Sequence, residues 1–196
     1  MSFTVLEACR LCGGKDLRAT LDLGTQALAG TFAKTVEEEQ AITRGPLALV
    51  RCGDPTCGLV QLSATYSLTE QYGDNYGYRS GLNAGMVAHL EGIVGLMAPR
   101  LEAGDIVVDI GSNDGTLLNA YSRKVDVERV GFDPTASKFD QYYDRGVLRA
   151  AEFFTAAAYR QRYGNVKAQV VTAISMLYDL PDPCAFVRDV ADILTP

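Results

Sequence analysis

The chain of 196 residues lacks several features that define common classes of protein. It has no apolar run near the ~20 residues that a membrane-spanning helix needs, so we expect no transmembrane segment. It has no excess of positive charge, and its formal net charge of −6 argues against general binding of nucleic acid or anionic membranes. Residues 1–10 lack the apolar core of a signal peptide, so a cytoplasmic location is the default expectation.

Histidine is nearly absent, because His89 is the single one in the chain. It lies within 82–100, a stretch with apolar residues at helical spacing, and we interpret it as a surface or structural residue of that helix. A composition of 47% hydrophobic and 21% charged residues is typical of a globular protein. The length allows one sizeable core, or a core with a small additional lobe.

Four of the five cysteines form two close pairs, Cys9-x-x-Cys12 and Cys52-x4-Cys57. In a reducing compartment such pairs indicate metal ligands before disulfides. Two turns with two thiolates each can enclose a tetrahedral Zn²⁺ with no open position, which predicts a structural zinc. Reduced buried cysteines or a redox dithiol are the alternatives. Cys184 lies outside the pairs and is expected to behave as a small hydrophobic residue.

A buried strand followed by a glycine turn is the most informative local pattern. The run from Ile106 to Ile110 is apolar and β-branched apart from one acid, as in a central parallel strand. Gly111 and Gly115 permit backbone angles that other residues resist and allow close approach of a ligand. A strand, a glycine turn and a helix in this order are typical of α/β folds that bind nucleotide-like cofactors.

The spacing of this turn limits the choice of cofactor. Asn113 stands where G-x-G-x-x-G has its middle glycine, and Thr116-Leu117 does not supply the Lys-Ser/Thr pair of a P-loop. Asp109, directly before the turn, places negative charge where phosphates would be repelled. An acid there suits a cation, such as the amino group and sulfonium of S-adenosylmethionine.

Further acids follow at spacings that fit this cofactor. Asp133 ends the next predicted strand, at the distance where an acid hydrogen-bonds ribose hydroxyls in a βαβ unit. Glu152 and Phe153 follow a third short strand, and they could meet the amino group and ring face of adenine. The alternative is a doubly wound domain that binds no nucleotide, with ordinary turn glycines and surface acids.

The order of the patterns predicts an α/β protein: a small zinc-bound lobe of short strands, then a Rossmann-like parallel sheet. The expected domains are a zinc lobe at 1–65, a tyrosine-rich connector and helix at 66–104, and a partial cofactor-binding domain at 105–196. Predicted lobe strands are 19–23, 46–51 and 59–62. Predicted sheet strands are 105–110, 128–133, 147–150 and 167–174, and predicted helices are 82–100, 115–123, 135–144, 155–162 and 183–194.

The fourth predicted strand of the sheet has no further strand after it in the chain. Residues 170–174 would then form an apolar edge, which is a hazard for unwanted pairing. We therefore expect the chain to be a piece of a longer polypeptide, or to pair with another chain.

These motifs together resemble the S-adenosylmethionine-dependent C-methyltransferases of nucleotide-linked sugars. The resemblance rests on the four cysteines, on Tyr76-Gly77-Tyr78-Arg79-Ser80, on the turn from Asp109 to Gly115, and on Gly131-Phe132-Asp133-Pro134. It covers essentially the whole chain and corresponds to the N-terminal half of such enzymes. It implies a class I methyltransferase domain, a structural zinc, and methylation of the carbon next to a ketone on a nucleotide-linked deoxysugar.

The resemblance also implies roles for single residues. Tyr78 corresponds to a family tyrosine near the reacting carbon with Tyr76 beside it, and a packed linker is the alternative for both. Ser175 and Asp179 follow the fourth strand, where family members line the methyl-transfer site. Some members have a histidine in place of Asp179, and Asp179 could equally cap the helix at 183–194. The cofactor-binding set is then Asp109, Gly111, Ser112, Asn113, Asp114, Gly115, Asp133, Glu152, Phe153 and Ser175.

Family members carry a His-Glu-His segment and a nucleotide-sugar-binding domain that this sequence does not contain. Three other functions therefore remain open. One is methylation of another small metabolite, and one is a non-catalytic S-adenosylmethionine-binding module. The third, a zinc-ribbon nucleic-acid binder, is disfavoured by the negative charge.

Overall fold

The computed structural model describes residues 3–73 and 76–196 and contains two compact units. The first unit comprises Met1–Gly77 and Leu177–Phe186, and the second comprises Tyr78–Met176 and Val187–Pro196. In the described part of the chain, no helix is both long and apolar enough to cross a bilayer.

The first unit consists of short antiparallel strands around the cysteine pairs. Its strands pair as β2-β3-β4 and β1-β5, and every pairing is antiparallel. Its elements are β1 (Phe3–Val5), β2 (Leu17–Ala27), α1 (Val36–Ala41), β3 (Arg44–Cys52), β4 (Val60–Leu62), β5 (Ala64–Tyr66) and α2 (Leu68–Gln71). The three predicted lobe strands correspond to β2, β3 and β4, so short strands around the cysteines are confirmed.

The second unit is built on a four-stranded parallel sheet in the order β8-β7-β6-β9. Its elements are α3 (Ala84–Met97), β6 (Ile106–Ile110), α4 (Thr116–Tyr121), β7 (Glu128–Phe132), β8 (Val147–Ala150), α5 (Ala156–Tyr163) and β9 (Val170–Ala173). A final helix, α6, spans Pro183–Ile193. The predicted α/β class, with a lobe of short strands before a Rossmann-like parallel sheet, is confirmed.

The core of the second unit forms around its central strand. All residues of β6 are buried, and β7 and β9 flank this strand on its two sides. Leu90 and Val94 of α3 and Leu118 and Tyr121 of α4 are buried with them. This burial explains the apolar, β-branched composition of the strand.

The predicted helix over 135–144 is wrong. The segment forms turns and a single short 3-10 helix, Asp140–Tyr142. Asp133 accepts hydrogen bonds from the backbone N–H and hydroxyl of Thr135, and the side chains of Phe139 and Tyr143 are buried. Burial of these two aromatic side chains therefore overrides the helical pattern of the local sequence.

Strand β9 lies at one edge of the described sheet, as the sequence predicts for 170–174. Its residues are half-buried. The pairing of this edge with a further strand stays a prediction.

Candidate functional site: a four-cysteine cluster and a glycine turn

The two cysteine pairs of the first unit converge on one point. The Sγ atoms of Cys9, Cys12, Cys52 and Cys57 all lie within 4.8 Å of one another. Cys9 and Cys57 approach to 3.7 Å, and Cys12 and Cys52 approach to 3.6 Å. The backbone N–H of Gly14 donates to Cys12 Sγ at 3.4 Å, as expected for a thiolate held in a tight turn.

This donor set fits a structural Zn²⁺. A tetrahedron with Zn–S distances of ~2.3 Å has sulfur–sulfur edges of about 3.8 Å, close to the observed separations. All five cysteines of the chain are free thiols in this structure. Four thiolates would complete the coordination, so the metal would be structural rather than catalytic. Cys184 lies outside the cluster, with its sulfur against the carbonyls of Arg10 and Leu11.

The glycine turn, residues 111–115, follows the carboxyl end of β6. Gly111, Asn113 and Gly115 all have positive φ, at 74°, 53° and 75°. A Cβ on Gly115 would lie 2.5 Å from the ring of Tyr143, so only glycine fits there. Ser112 to Gly115 are buried whereas Gly111 is exposed, which makes Gly111 the point where a ligand can reach the backbone.

Two buried side chains hold the backbone of this turn. Asp133, directly after β7, accepts the N–H of Asn113 at 2.8 Å. The Tyr143 hydroxyl lies 2.8 Å from Ser112 Oγ and donates to the carbonyl of Asn113 at 2.9 Å. The turn conformation is therefore set by hydrogen bonds from segments 20 or more residues distant.

The side chains of Asn113 and Asp114 bond to a preceding segment, residues 78–82, which we name the strap. Asn113 accepts the N–H of Ser80 and donates to the carbonyl of Tyr78. Asp114 accepts from the backbone of Gly81 and from the Arg79 guanidinium. Binding of the cofactor by these two side chains stays a prediction, and their present partners are in the strap.

Asp109 lies in the buried central strand β6 and is 5% exposed. It accepts a hydrogen bond from the Thr172 hydroxyl of β9 at 2.6 Å. Burial, together with the nearby Asp133, raises the pKa of Asp109 to about 7, although the hydrogen bond from Thr172 acts in the opposite direction. The Asp109 carboxyl is thus only partly ionised near neutral pH. Its negative charge is therefore smaller than the sequence analysis expects for attraction of a cationic cofactor.

The remaining cofactor candidates follow β8 and β9 at the same edge of the sheet. Glu152 pairs with Arg162 at 2.7 Å, and Phe153 is 40% exposed. Ser175 has a φ of 57°, and among the described residues only it and Asn113 have positive φ without being glycine. Such backbone strain in two strand-end loops is typical of functional sites.

Two of the three predicted catalytic residues belong to the first unit. Asp179 accepts a hydrogen bond from the Tyr72 hydroxyl at 2.6 Å, and the Tyr76 ring packs on Tyr72 with centroids 5.3 Å apart. Burial raises the pKa of Asp179, although Tyr72 and Arg10 both lower it. Tyr78 belongs to the second unit and is 41% exposed.

The structure changes the assignment of one cap and agrees with the expectation for the single histidine. The N-terminal cap of α6 is Asp182, which accepts the N–H of Ala185 at 2.8 Å, rather than Asp179. His89 is exposed on α3, as expected for a surface residue. The contacts of Tyr72 and Tyr143 could not be predicted from the sequence, since their partners lie 30 or more positions away and no local motif marks them.

A cavity elsewhere in the second unit does not coincide with these residues. It has a volume of about 510 Å³ and lies in the loop before β7, at the amino end of that strand. Its lining residues are Ser122, Arg123, Lys124, Val125, Asp126, Val127 and Arg129. In parallel sheets the ligand site lies at the carboxyl ends of the strands, so we do not assign the cofactor to this cavity.

Comparisons with known proteins match two family models to successive parts of the chain. Residues 9–72 match a family described as "Putative zinc binding domain", and residues 86–196 match a family described as "Methyltransferase domain". No curated protein matches the chain significantly.

Two solved structures are similar to the chain, both described as SAM-dependent methyltransferases in complex with S-adenosyl-L-homocysteine. The protein from Geobacter sulfurreducens is 21% identical with a TM-score of 0.40, and the match covers 55% of this chain and 44% of that one. The protein from Thiobacillus denitrificans is also 21% identical with a TM-score of 0.40, and the match covers 58% and 45%. The chain thus spans less than half the length of either structure.

The methyltransferase family model covers residues 86–196, which is more than half of the 196 residues. The chain therefore belongs to the methyltransferase domain family, and its N-terminal region carries a four-cysteine site that fits structural zinc.

Proposed function

We propose that the chain binds S-adenosylmethionine at the glycine turn and forms the cofactor-binding part of a methyltransferase. One observation carries the proposal. The exposed backbone of Gly111, the carboxylate of Asp133 and the loop at Glu152 and Phe153 all follow the carboxyl ends of neighbouring parallel strands. Ligands of open α/β sheets bind at this edge.

The residues at the edge match the parts of this cofactor. Gly111 leaves its backbone open, since a Cβ there would meet only Met176, at an ordinary contact distance of 3.5 Å. Asp133 is the candidate for the ribose hydroxyls, and Glu152 with the exposed ring of Phe153 is the candidate for adenine. When bound, S-adenosylmethionine supplies an electrophilic methyl group.

The finer proposal concerns the acceptor. We infer methylation of the carbon next to a ketone on a nucleotide-linked deoxysugar, and the support is the resemblance of the zinc lobe, the tyrosine segment and the turn to such enzymes. Carbon methylation requires removal of the α proton and stabilisation of the enolate oxygen. The exposed phenol of Tyr78 is suited to donate a hydrogen bond to that oxygen.

Tyr76 and the pair of Tyr72 with Asp179 are the further candidates for acceptor chemistry. The raised pKa of Asp179 favours proton uptake, as a general base requires. The Tyr72 hydroxyl hydrogen-bonds this carboxylate, so the two side chains would hold or move a proton together.

Calorimetry with S-adenosylhomocysteine tests the cofactor site on the intact polypeptide. We expect binding by the unmodified protein and a loss of at least about tenfold in affinity for Gly111→Ala. Gly104→Ala is the matched control, because Gly104 also has positive φ but lies at the opposite end of β6. Absence of binding by the unmodified protein, or equal losses for both variants, would contradict the proposed site.

Product analysis tests the acceptor. Incubation with S-adenosylmethionine and a nucleotide-linked keto-deoxysugar should place the new methyl group on carbon, as shown by NMR. Tyr78→Phe should lower the rate. A methyl group on oxygen or nitrogen, or full activity of Tyr78→Phe, would overturn the corresponding part of the proposal. Binding of cofactor without transfer to any small metabolite would favour a non-catalytic module.

A further inference from the structure

The strap contains polar backbone groups that find their partners in side chains of the glycine turn. The N–H groups of Ser80 and Gly81 donate to Asn113 Oδ1 and Asp114 Oδ2, both at 2.9 Å. In return, Asn113 Nδ2 donates to the carbonyl of Tyr78 at 3.0 Å. Consecutive residues of the turn thus bond consecutive residues of the strap.

An ion pair reinforces these backbone bonds. Arg79 Nε lies 3.1 Å from Asp114 Oδ2, and the Asp114 side chain is only 2% exposed. The Arg79 guanidinium also stacks over the ring of Tyr142, with its carbon 3.5 Å from the ring centroid. A buried carboxylate requires such partners, because unpaired it would carry a large desolvation cost.

Gly81 allows the close approach of strap and turn. A Cβ at this position would lie 2.8 Å from Asp114 Oδ2 and 3.1 Å from the Thr116 hydroxyl. Any side chain at residue 81 would therefore push the strap away from the turn or displace the Asp114 carboxylate.

Asn113, the non-glycine residue of the turn with positive φ, is also the residue whose side-chain amide forms two hydrogen bonds with the strap. Asn113 has a φ of 53°, and its amide oxygen and nitrogen are both bonded to the strap. A residue in such a conformation persists only where the surrounding structure holds it. Loss of the strap would free Asn113 to relax and would change the backbone that the cofactor meets.

We infer that Arg79 and Gly81 are positioning residues that act through Asn113 and Asp114, so that order in the strap and cofactor binding at the turn stabilise each other. The inference rests on the proposed function, because it assumes that the cofactor binds at the turn. Coupling of this kind is reciprocal: a ligand that prefers the ordered turn must also order the strap. Because Tyr78 begins the strap, the same coupling fixes the proposed acceptor-side tyrosine when the methyl donor is bound.

Hydrogen exchange read by mass spectrometry tests the coupling without an acceptor substrate. Saturation with S-adenosylhomocysteine should slow exchange of the Ser80 and Gly81 amides about tenfold in the unmodified protein. The reciprocal measurement is calorimetry on Gly81→Ala, where we expect affinity for S-adenosylhomocysteine to fall about tenfold. Gly92→Ala is the matched control, because Gly92 is an exposed position of α3 where a Cβ would meet nothing within 4 Å, and this variant should bind normally.

The outcomes separate this inference from the proposed function. If the unmodified protein does not bind S-adenosylhomocysteine, the proposed function fails, and the coupling fails with it. If it binds, but exchange of the strap amides is unchanged and Gly81→Ala binds like Gly92→Ala, the coupling alone is overturned. Should Gly81→Ala unfold, Arg79→Lys replaces it in the calorimetry, because it removes the planar guanidinium while keeping the charge. The exchange measurement on the unmodified protein needs no variant.

Discussion

The zinc lobe and the parallel sheet are held together in different ways. Every residue of β2 after Leu17 is exposed, whereas every residue of β6 is buried. Burial of apolar surface contributes about 25 cal/mol per Å², so it stabilises the sheet far more than the lobe. The lobe instead brings four thiols together. We therefore expect the stability of the lobe to depend on the metal and the stability of the sheet to depend on packing.

Removal of the zinc should have the largest effect, and it should be confined to the lobe. Metal binding contributes on the order of 10 kcal/mol to folding in small zinc domains that have little core. We expect Cys52→Ser, or strong chelation, to expose residues 9–62 to rapid hydrogen exchange while β6 and β7 stay protected. Elemental analysis should find one zinc per chain in the unmodified protein.

Cys184→Ser is the matched control for this experiment, because the Cys184 sulfur lies outside the cluster, against the carbonyls of Arg10 and Leu11. It should retain the zinc and the protection of the lobe. A lobe that stays protected after loss of the metal would show that packing holds both regions, and the contrast between them would disappear.

Truncation of a core side chain on α4, in the unit of the parallel sheet, should give the opposite pattern. Leu118 is 0% exposed, and Leu118→Ala should lower the free energy of unfolding of the second unit by roughly 2–5 kcal/mol. Zinc content should be unchanged. Denaturant unfolding with parallel zinc analysis measures both, and loss of the metal in this variant would show that the two regions unfold as one.

The sequence predicted the features that depend on local chemistry. The apolar run 106–110 indicated a central strand, and the spacing of Cys9 and Cys12 indicated a metal site. Both signals arise from residues close together in the chain, so periodicity and spacing are enough to reveal them.

The features that the sequence did not predict depend on distant partners. Tyr143 is 28 residues beyond Gly115, and no local pattern shows that its ring fills the space beside that glycine. For the same reason the sequence predicts a helix over 135–144, whereas the segment forms turns in which Phe139 and Tyr143 are buried. The bonds from Asn113 and Asp114 to the strap also span more than 30 residues.

Asp109 makes the stability of the sheet depend on pH. Its pKa in the folded protein is about 7, whereas an unfolded aspartate titrates near ~3.9. The folded state therefore binds the proton more tightly, and stability should fall as pH rises from about 4 to 7 and then level off. Asp109→Asn keeps an oxygen for Thr172 and removes the charge, so it should flatten this profile and be more stable than the unmodified protein at pH ~8, by a few kcal/mol at most.

Thermal unfolding between pH ~5 and ~8 measures the difference. Asp126→Asn, a change at an exposed carboxyl of the same unit, is the control and should leave the profile unchanged. An unchanged profile for Asp109→Asn would mean that the Asp109 carboxylate is already fully ionised at pH ~5 in the folded protein, contrary to the effect of burial.

Tyr143→Phe should have the smallest effect on stability and a clear effect on the turn. The change removes the hydroxyl that bonds Ser112 and the carbonyl of Asn113, and both of those residues are buried. Leaving a buried polar group without its partner costs about 1–3 kcal/mol, which corresponds to a fall in Tm of roughly 2–12 °C for a chain of this size.

Tyr142→Phe is the matched control, because Tyr142 is more exposed and the variant keeps the ring beneath Arg79. If burial of the ring alone positions the glycine turn, the two variants will bind S-adenosylhomocysteine equally well. Weaker binding by Tyr143→Phe alone would show that packing stabilises the sheet while hydrogen bonds from distant residues shape the site at its edge.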